Sequence, residues 1–178
     1  ERAVSSGARE IVVATDSDRV AFAARGFGAR VCMTSSECKS GTDRVAEVCR
    51  AMSWDNTMPV VNVQGDAPMI PPNSIQRVAG LLLGNPDACL ATLCVSIKSA
   101  REFHDPNIVK VVFDRDGRAL YFSRAPIPAG GHGNNQATTW RGAWRHLGLY
   151  AYRSDALQIL SQTAPCVLEE TERLEQLR

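Results

Sequence analysis

The sequence predicts an α/β fold: a Rossmann-like, mostly parallel sheet with helices on both faces, carrying an antiparallel insertion. Three observations predict it. Between residues 11 and 83, short apolar β-branched runs alternate with stretches of helical spacing, the order of βαβ units. Beyond residue 108 the pattern changes to two strand-like runs joined by Arg115-Asp116-Gly117, a hairpin signal. No repeat, low-complexity stretch or linker interrupts the chain. One domain over 1–178 is therefore expected, with the antiparallel insertion at 108–152.

Each element has its own justification. Glu1 to Gly7 reads as the end of a helix closed by Gly7. Ile11 to Thr15 is a short apolar strand, and Ser17 can cap a helix over Asp18 to Arg25, which Gly26 and Gly28 end. Ala29 to Thr34 is a second strand, followed by a polar loop to Ser40. A helix opens at Gly41 with Thr42 as its expected cap; Val45, Val48, Cys49 and Met52 form its apolar face. Pro59 to Gln64 reads as a strand buried on both faces, ending in the turn Gln64-Gly65-Asp66. Pro71-Pro72 start a helix whose Ile75, Val78, Ala79 and Leu82 share one face. Ala88 to Ile97 is a strand; Ile108 to Asp114 and Arg118 to Ser123 form the hairpin. Ala129 to Gly142, rich in Gly, Asn and Thr, reads as a mobile surface loop. Arg145 to Tyr152 is a strand, Ser154 to Gln162 a helix, and Leu168 to Arg178 a last helix rich in Glu.

Composition narrows the class. With 178 residues, 44% hydrophobic and 22% charged, the chain can bury the core of a globular domain. A formal net charge of +1 argues against a nucleic-acid footprint. Apolar runs such as Val78 to Leu83 are too short to span a bilayer, and no basic-then-apolar leader is visible. The six cysteines, Cys32, Cys38, Cys49, Cys89, Cys94 and Cys166, form no C-x-x-C pair and read as reduced thiols of a cytoplasmic protein.

Four clusters carry candidate chemistry. Asp66 sits where a central strand ends, the position at which open α/β sheets bind ligands. It can hold a divalent cation or, alternatively, cap the next helix. Ser40-Gly41-Thr42-Asp43-Arg44 joins a helix N-terminus to an arginine, suiting an anion or a base edge, or simply a capped helix. Tyr121-Phe122-Ser123-Arg124 delivers an arginine to a loop. In Arg145 to Tyr150, the two-residue strand period puts His146 and Tyr150 on one side. His104 and His132 are isolated and read as solvated, while Trp140 and Trp144 read as lid or interface residues. No G-x-S-x-G, Walker loop or zinc spacing is present.

The runs IVVATDSDRV, VCMTSSECKSGTDRVAEV, VVNVQGDAPMI, NIVKVVFDRDGRALYFSRAPIP, RHLGLYAYR and LEETERLEQLR, in this order, resemble the CMP-KDO synthetases (3-deoxy-manno-octulosonate cytidylyltransferases) over nearly the whole chain. The resemblance implies a nucleotide-diphospho-sugar transferase type of fold and a Mg²⁺-dependent reaction of CTP with KDO, giving CMP-KDO and pyrophosphate for lipopolysaccharide. It implies Asp66 as metal ligand and, with Arg124, as a carrier of catalysis. Ala14, Thr15, Asp16, Ser40, Gly41, Arg44 and Asp66 would border CTP. Gln64, Arg124, His146, Tyr150, Glu175 and Gln176 would line the sugar-acid site, with the Arg124 fork meeting the carboxylate. A cytoplasmic homodimer without nucleic acid or membrane insertion is implied, from a Gram-negative-type bacterium or a plant. The departures are Ala67, where the family has Glu, and the absence of the family's N-terminal phosphate loop and C-terminal metal-binding segment from these residues. The 178 residues alone are therefore expected to be inactive. The alternatives are a cytidylyltransferase for another sugar acid (sialic acid or 8-amino-KDO) and a non-catalytic nucleotide-sugar-binding relative.

Overall fold

A computed structural model describes residues 1–129 and 140–178. The described chain forms two compact units, Glu1–Thr92 with Leu149–Gln162, and Leu93–Gly148 with Thr163–Arg178. The second is broader than the insertion expected over 108–152.

In the first unit, α1 (Arg2–Ser5) is followed by Gly7 at φ +71°, a left-handed conformation glycine adopts without strain. Strands β1 (Val12–Thr15) and β2 (Arg30–Met33) pair in parallel, from Val12 opposite Arg30 to Thr15 opposite Met33. Between them, α2 (Asp18–Gly26) is capped by Ser17, whose Oγ accepts the Val20 N–H at 3.5 Å. Helix α3 (Gly41–Ala51) starts one residue outside its expected cap. Ser40, extended at φ −140° and ψ 167°, accepts the Asp43 N–H at 3.1 Å, whereas Thr42 is already helical and buried. A cap needs that extended conformation.

Strand β3 (Pro59–Asn62) runs antiparallel to the second half of β7 (Trp144–Arg153), with Val60 opposite Tyr152 and Asn62 opposite Tyr150. Among the described strands, parallel pairing is confined to β1–β2. Only Val60 of β3 is fully buried; its neighbours are half-buried, so the strand is covered less evenly than its β-branched run predicts. Ala46, Cys49, Val60, Tyr150, Tyr152 and Leu157 form the core here, with Val45, Trp54 and Leu160 packed against them. Helix α4 (Pro72–Leu83) buries Ile75, Val78 and Leu82, the predicted face. Helix α6 (Ser154–Gln162) meets α3, where Gln158 Nε2 donates to the Ala46 carbonyl at 3.0 Å. The chain leaves this unit along β4 (Leu90–Ser96).

The second unit contains α5 (Ala100–His104) and the expected hairpin, β5 (Lys110–Phe113) with β6 (Ala119–Ser123). Lys110 lies opposite Ser123 and Val111 opposite Phe122. Gly117, at φ +81°, makes the turn, and Asp114 Oδ1 accepts the Asp116 and Arg118 N–H groups at 2.9 and 2.8 Å. The first half of β7 pairs with β5, placing Trp144 opposite Val111. Val111, Phe122 and Leu174 form the core, joined by Cys94, Val109, Phe113, Trp144 and Leu177. Trp140 packs on Ile97, Phe103 and Ala143. Both tryptophans are half-buried and pack against these internal clusters.

The single helix expected over 168–178 is broken. Helix α7 (Val167–Glu172) stops at Arg173, which takes φ +54° and ψ 50°, and a 3₁₀ turn (Glu175–Leu177) follows. The break lets Leu174 bury beside Val111 and Phe122 while Glu172 turns its carboxylate to β6. Most of Ala129–Gly142, and His132 with it, lies outside the described residues. All six cysteines are free thiols. Among the described residues, no helix is long and apolar enough to cross a membrane.

Candidate active site

The first unit gathers one polar patch at the ends of β1 and β2. Arg44, in the first turn of α3, donates from Nη2 to Asp16 Oδ2 at 2.8 Å and from Nη1 to Thr34 Oγ1 at 2.5 Å. The Thr34 N–H donates to the Thr15 carbonyl at 2.9 Å, and Thr15 Oγ1 accepts the Ser17 N–H at 3.1 Å. The Arg44 guanidinium holds the Asp16 carboxyl below its ordinary range. Thr15, Asp16, Ser40, Gly41 and Arg44 are thus brought together, with half-buried Ala14 one residue back on β1. Arg44 spends its charge on Asp16, so it anchors this corner as well as bordering it.

Gln64 and Asp66 follow β3 in a turn closed by the Ala67 N–H donating to the Gln64 carbonyl at 3.2 Å. Both are exposed. Helix α4 is capped at Pro71, so Asp66 does not cap it, and that alternative is removed. Among the described residues, Asp66 has no hydrogen-bond partner, and no three His, Cys, Asp or Glu side chains gather to hold a metal. A single open carboxylate at a turn fits Mg²⁺, which is held by one or two carboxylates plus waters and substrate phosphates. Tyr150, opposite Asn62, is buried and stacks on Tyr152 with ring centroids 5.5 Å apart.

The second unit holds Arg124, His146, Glu175 and Gln176. Arg124 follows β6 and is held on every side. Its Nε donates to the Glu172 carbonyl at 2.8 Å, Nη1 to Pro106 at 3.1 Å and Nη2 to Arg173 at 3.4 Å. Glu172 also accepts the Arg124 N–H at 2.8 Å, the Ser123 hydroxyl at 2.5 Å and the Tyr121 hydroxyl at 3.0 Å. Burial pulls the Glu172 carboxyl upward, but these bonds outweigh it and leave it below its ordinary value. His146 lies edge-on to Phe122, centroids 5.1 Å apart, and burial pushes its pKa from 6.5 down to about 4. The imidazole is therefore neutral at pH 7. Glu175 and Gln176 sit half-buried in the 3₁₀ turn. Gly148, between His146 and Tyr150 in β7, takes φ +64°. His104, read as solvated, is exposed but pairs its Nδ1 with the Ala100 carbonyl at 2.8 Å.

Two residues of this second group escaped the sequence reading: Lys110 and Glu172. The available signal for Lys110 is a lone cation inside the apolar run Ile108 to Phe113. Glu172 is hidden among four glutamates in eight residues, Glu169, Glu170, Glu172 and Glu175 falling within 168–175.

A family model described as cytidylyltransferase matches residues 1–178. The chain belongs to the cytidylyltransferase family. Among curated cytidylyltransferases, it is 48% identical over 180 residues to the 3-deoxy-manno-octulosonate cytidylyltransferase of Thioalkalivibrio sulfidiphilus, covering 100% of this chain and 72% of that one. It is 47% identical over 184 residues to the enzyme of that name from Nitrosococcus oceani, with 100% and 71% covered. A solved structure of CMP:2-keto-3-deoxy-manno-octonic acid synthetase complexed with CTP superposes with a TM-score of 0.89 at 41% identity, over 99% of this chain and 70% of that one. The fold is therefore that of the nucleotide-diphospho-sugar transferases, as the family resemblance implies.

Proposed function

We propose that this cytidylyltransferase transfers the cytidylyl group of CTP to the anomeric hydroxyl of KDO, giving CMP-KDO and pyrophosphate for lipopolysaccharide synthesis. The observation that carries the reading is the 47–48% identity, over the whole of this chain, to relatives sharing that activity in their names. The CTP held by the structural neighbour is in keeping with it.

The reaction joins two anions, so alignment and charge neutralisation are the main demands on the protein. Asp66 would hold Mg²⁺, which when bound neutralises phosphate charge and orients the leaving pyrophosphate. The start of α3, with Ser40 and Gly41, presents backbone N–H groups beside Asp16 and Arg44 for the nucleotide. Arg124 would bind the KDO carboxylate through N–H groups that its backbone contacts leave available. Neutral His146 would hydrogen-bond a sugar hydroxyl, with Glu175 and Gln176 of the same unit contributing to the same substrate. The anomeric hydroxyl gives up its proton to solvent, its oxygen bonds to the α-phosphorus, and pyrophosphate leaves with the electron pair of the bond that breaks. A cytoplasmic homodimer belongs to this reading. Six free thiols accord with the compartment, and Leu120, 67% exposed, offers apolar surface for a second copy.

Pyrophosphate release by the full-length protein tests the proposal, with CTP and Mg²⁺ and with KDO, sialic acid or no sugar. Release only with KDO is the expected result. Release with sialic acid alone would overturn the sugar assignment, and no release with any sugar would overturn the enzyme reading.

A further inference from the structure

Lys110, the first residue of β5, is completely buried, at 0% exposure. Its ammonium donates to three backbone carbonyls, Asp105 at 3.0 Å, Ile108 at 2.6 Å and Arg124 at 2.5 Å. An ammonium has three N–H donors, so each has an acceptor, the condition under which a buried charge is retained. The Asp105 and Ile108 carbonyls bracket Pro106, whose own carbonyl accepts from Arg124 Nη1. Lys110 therefore ties the 105–108 turn to the Arg124 backbone, and the Arg124 guanidinium reaches back to the same turn.

Glu172 grips Arg124 from the other direction. Its carboxylate fixes the Arg124 amide, and its carbonyl fixes Nε. A guanidinium has five N–H donors. Three are engaged by Glu172, Pro106 and Arg173, which leaves one N–H on each terminal nitrogen. A plain surface arginine at a hairpin end would not need its amide, its carbonyl and its side chain all pinned.

We propose that Lys110 and Glu172 are positioning residues that lock Arg124, so that its two remaining terminal N–H groups meet the sugar-acid carboxylate in one fixed orientation. The inference rests on the reading in which Arg124 binds that carboxylate. Preorganisation of this kind removes the ordering cost of a long side chain from the binding step. Its loss falls on the sugar acid, not on CTP.

The test is a double-mutant cycle in the full-length enzyme, reading KDO affinity by calorimetry and the KM of each substrate by pyrophosphate release. Glu172→Gln keeps the shape but turns an amide N–H₂ against the Ser123, Tyr121 and Arg124 donors. It is expected to weaken KDO binding about tenfold, with the KM for CTP held within about twofold. In an Arg124→Ala background the same change is expected to have no further effect, because Glu172 acts through Arg124. If Glu172→Gln fails to fold, Tyr121→Phe takes its place in the cycle, with the same pattern at smaller amplitude. A wild-type enzyme that binds no KDO would remove the functional reading and this inference with it. If wild type binds KDO and Arg124→Ala weakens it, this inference alone falls on either of two results: Glu172→Gln at wild-type affinity, or a loss that adds in full to that of Arg124→Ala.

Discussion

The turn after β3 and the turn after β6 each present one charged candidate residue, and they hold it in opposite ways. Asp66, in the first unit, is exposed and has no hydrogen-bond partner among the described residues. Arg124, in the second, has its amide, its carbonyl and its guanidinium all bound to protein groups. The difference follows from what each would bind. A carboxylate for a hydrated cation must keep its oxygens open, because waters and phosphates supply the remaining ligands. An arginine that reads a carboxylate gains from rigidity, because its fork is directional. On the proposed reading, the group that would receive a cation is open and the group that would read a carboxylate is braced.

The largest expected effect tests the open side. Asp66→Asn should lower pyrophosphate release about a hundredfold to a thousandfold while leaving the melting temperature unchanged, since no described contact is lost. A drop in melting temperature as large as the drop in turnover would show that the turn depends on Asp66, and the contrast would fail. Next comes the braced side. Lys110→Met leaves three carbonyls facing a thioether, and at about 1 kcal/mol for each lost bond it should destabilise by about 3 kcal/mol. Urea unfolding of the full-length protein measures this directly. A loss under about 1 kcal/mol would mean that the Arg124 turn stands without its tether.

A third prediction concerns pH. The His146 pKa in the folded chain, about 4, lies below the ordinary 6.5. The unfolded chain therefore binds a proton that the folded one refuses. This contribution to stability is complete above pH 6.5 and is lost as the pH falls from 6.5 towards 4. The loss is about 1 kcal/mol at pH 5.5 and approaches about 3 kcal/mol near pH 4. His146→Leu should flatten that slope in urea titrations taken across the range. An unchanged slope would place the acid sensitivity elsewhere.

These contrasts were only partly legible in the sequence. Period and punctuation located the strands and most helices, because Ile75, Val78 and Leu82 or the Asp114–Gly117 turn act through neighbours within a few residues. The candidate residues were legible too, as charged groups at strand ends. What the sequence hid was the state of each. Arg124 reads as a solvated loop arginine until Glu172 and Lys110 come to it from 48 and 14 residues away. The break at Arg173 was hidden for the same reason. Residues 168–178 have ordinary helical composition, and only the burial of Leu174 and the pull on Glu172 set the left-handed residue between them. Local propensity is a weak prior where tertiary contacts of this kind compete with it.

The smallest expected effect lies at the third charged group, Arg44. It is tethered as Arg124 is, but by one partly exposed ion pair to Asp16 and one hydroxyl, Thr34. If burial separates a strong brace from a weak one, Asp16→Asn should leave the urea unfolding midpoint close to that of the wild type, as is usual for solvent-exposed pairs. The amide still accepts from Nη2, so Arg44 keeps its direction while losing its neutralising charge. Its freed charge should then favour the triphosphate, and the KM for CTP should fall slightly at low salt and return to the wild-type value at high salt, where screening removes the difference. A higher KM at all salt concentrations would mean that Asp16 itself contacts the nucleotide. A stability loss matching that of Lys110→Met would mean that exposure is not what distinguishes the two braces, and that the contrast between the two turns must rest on the number of bonds alone.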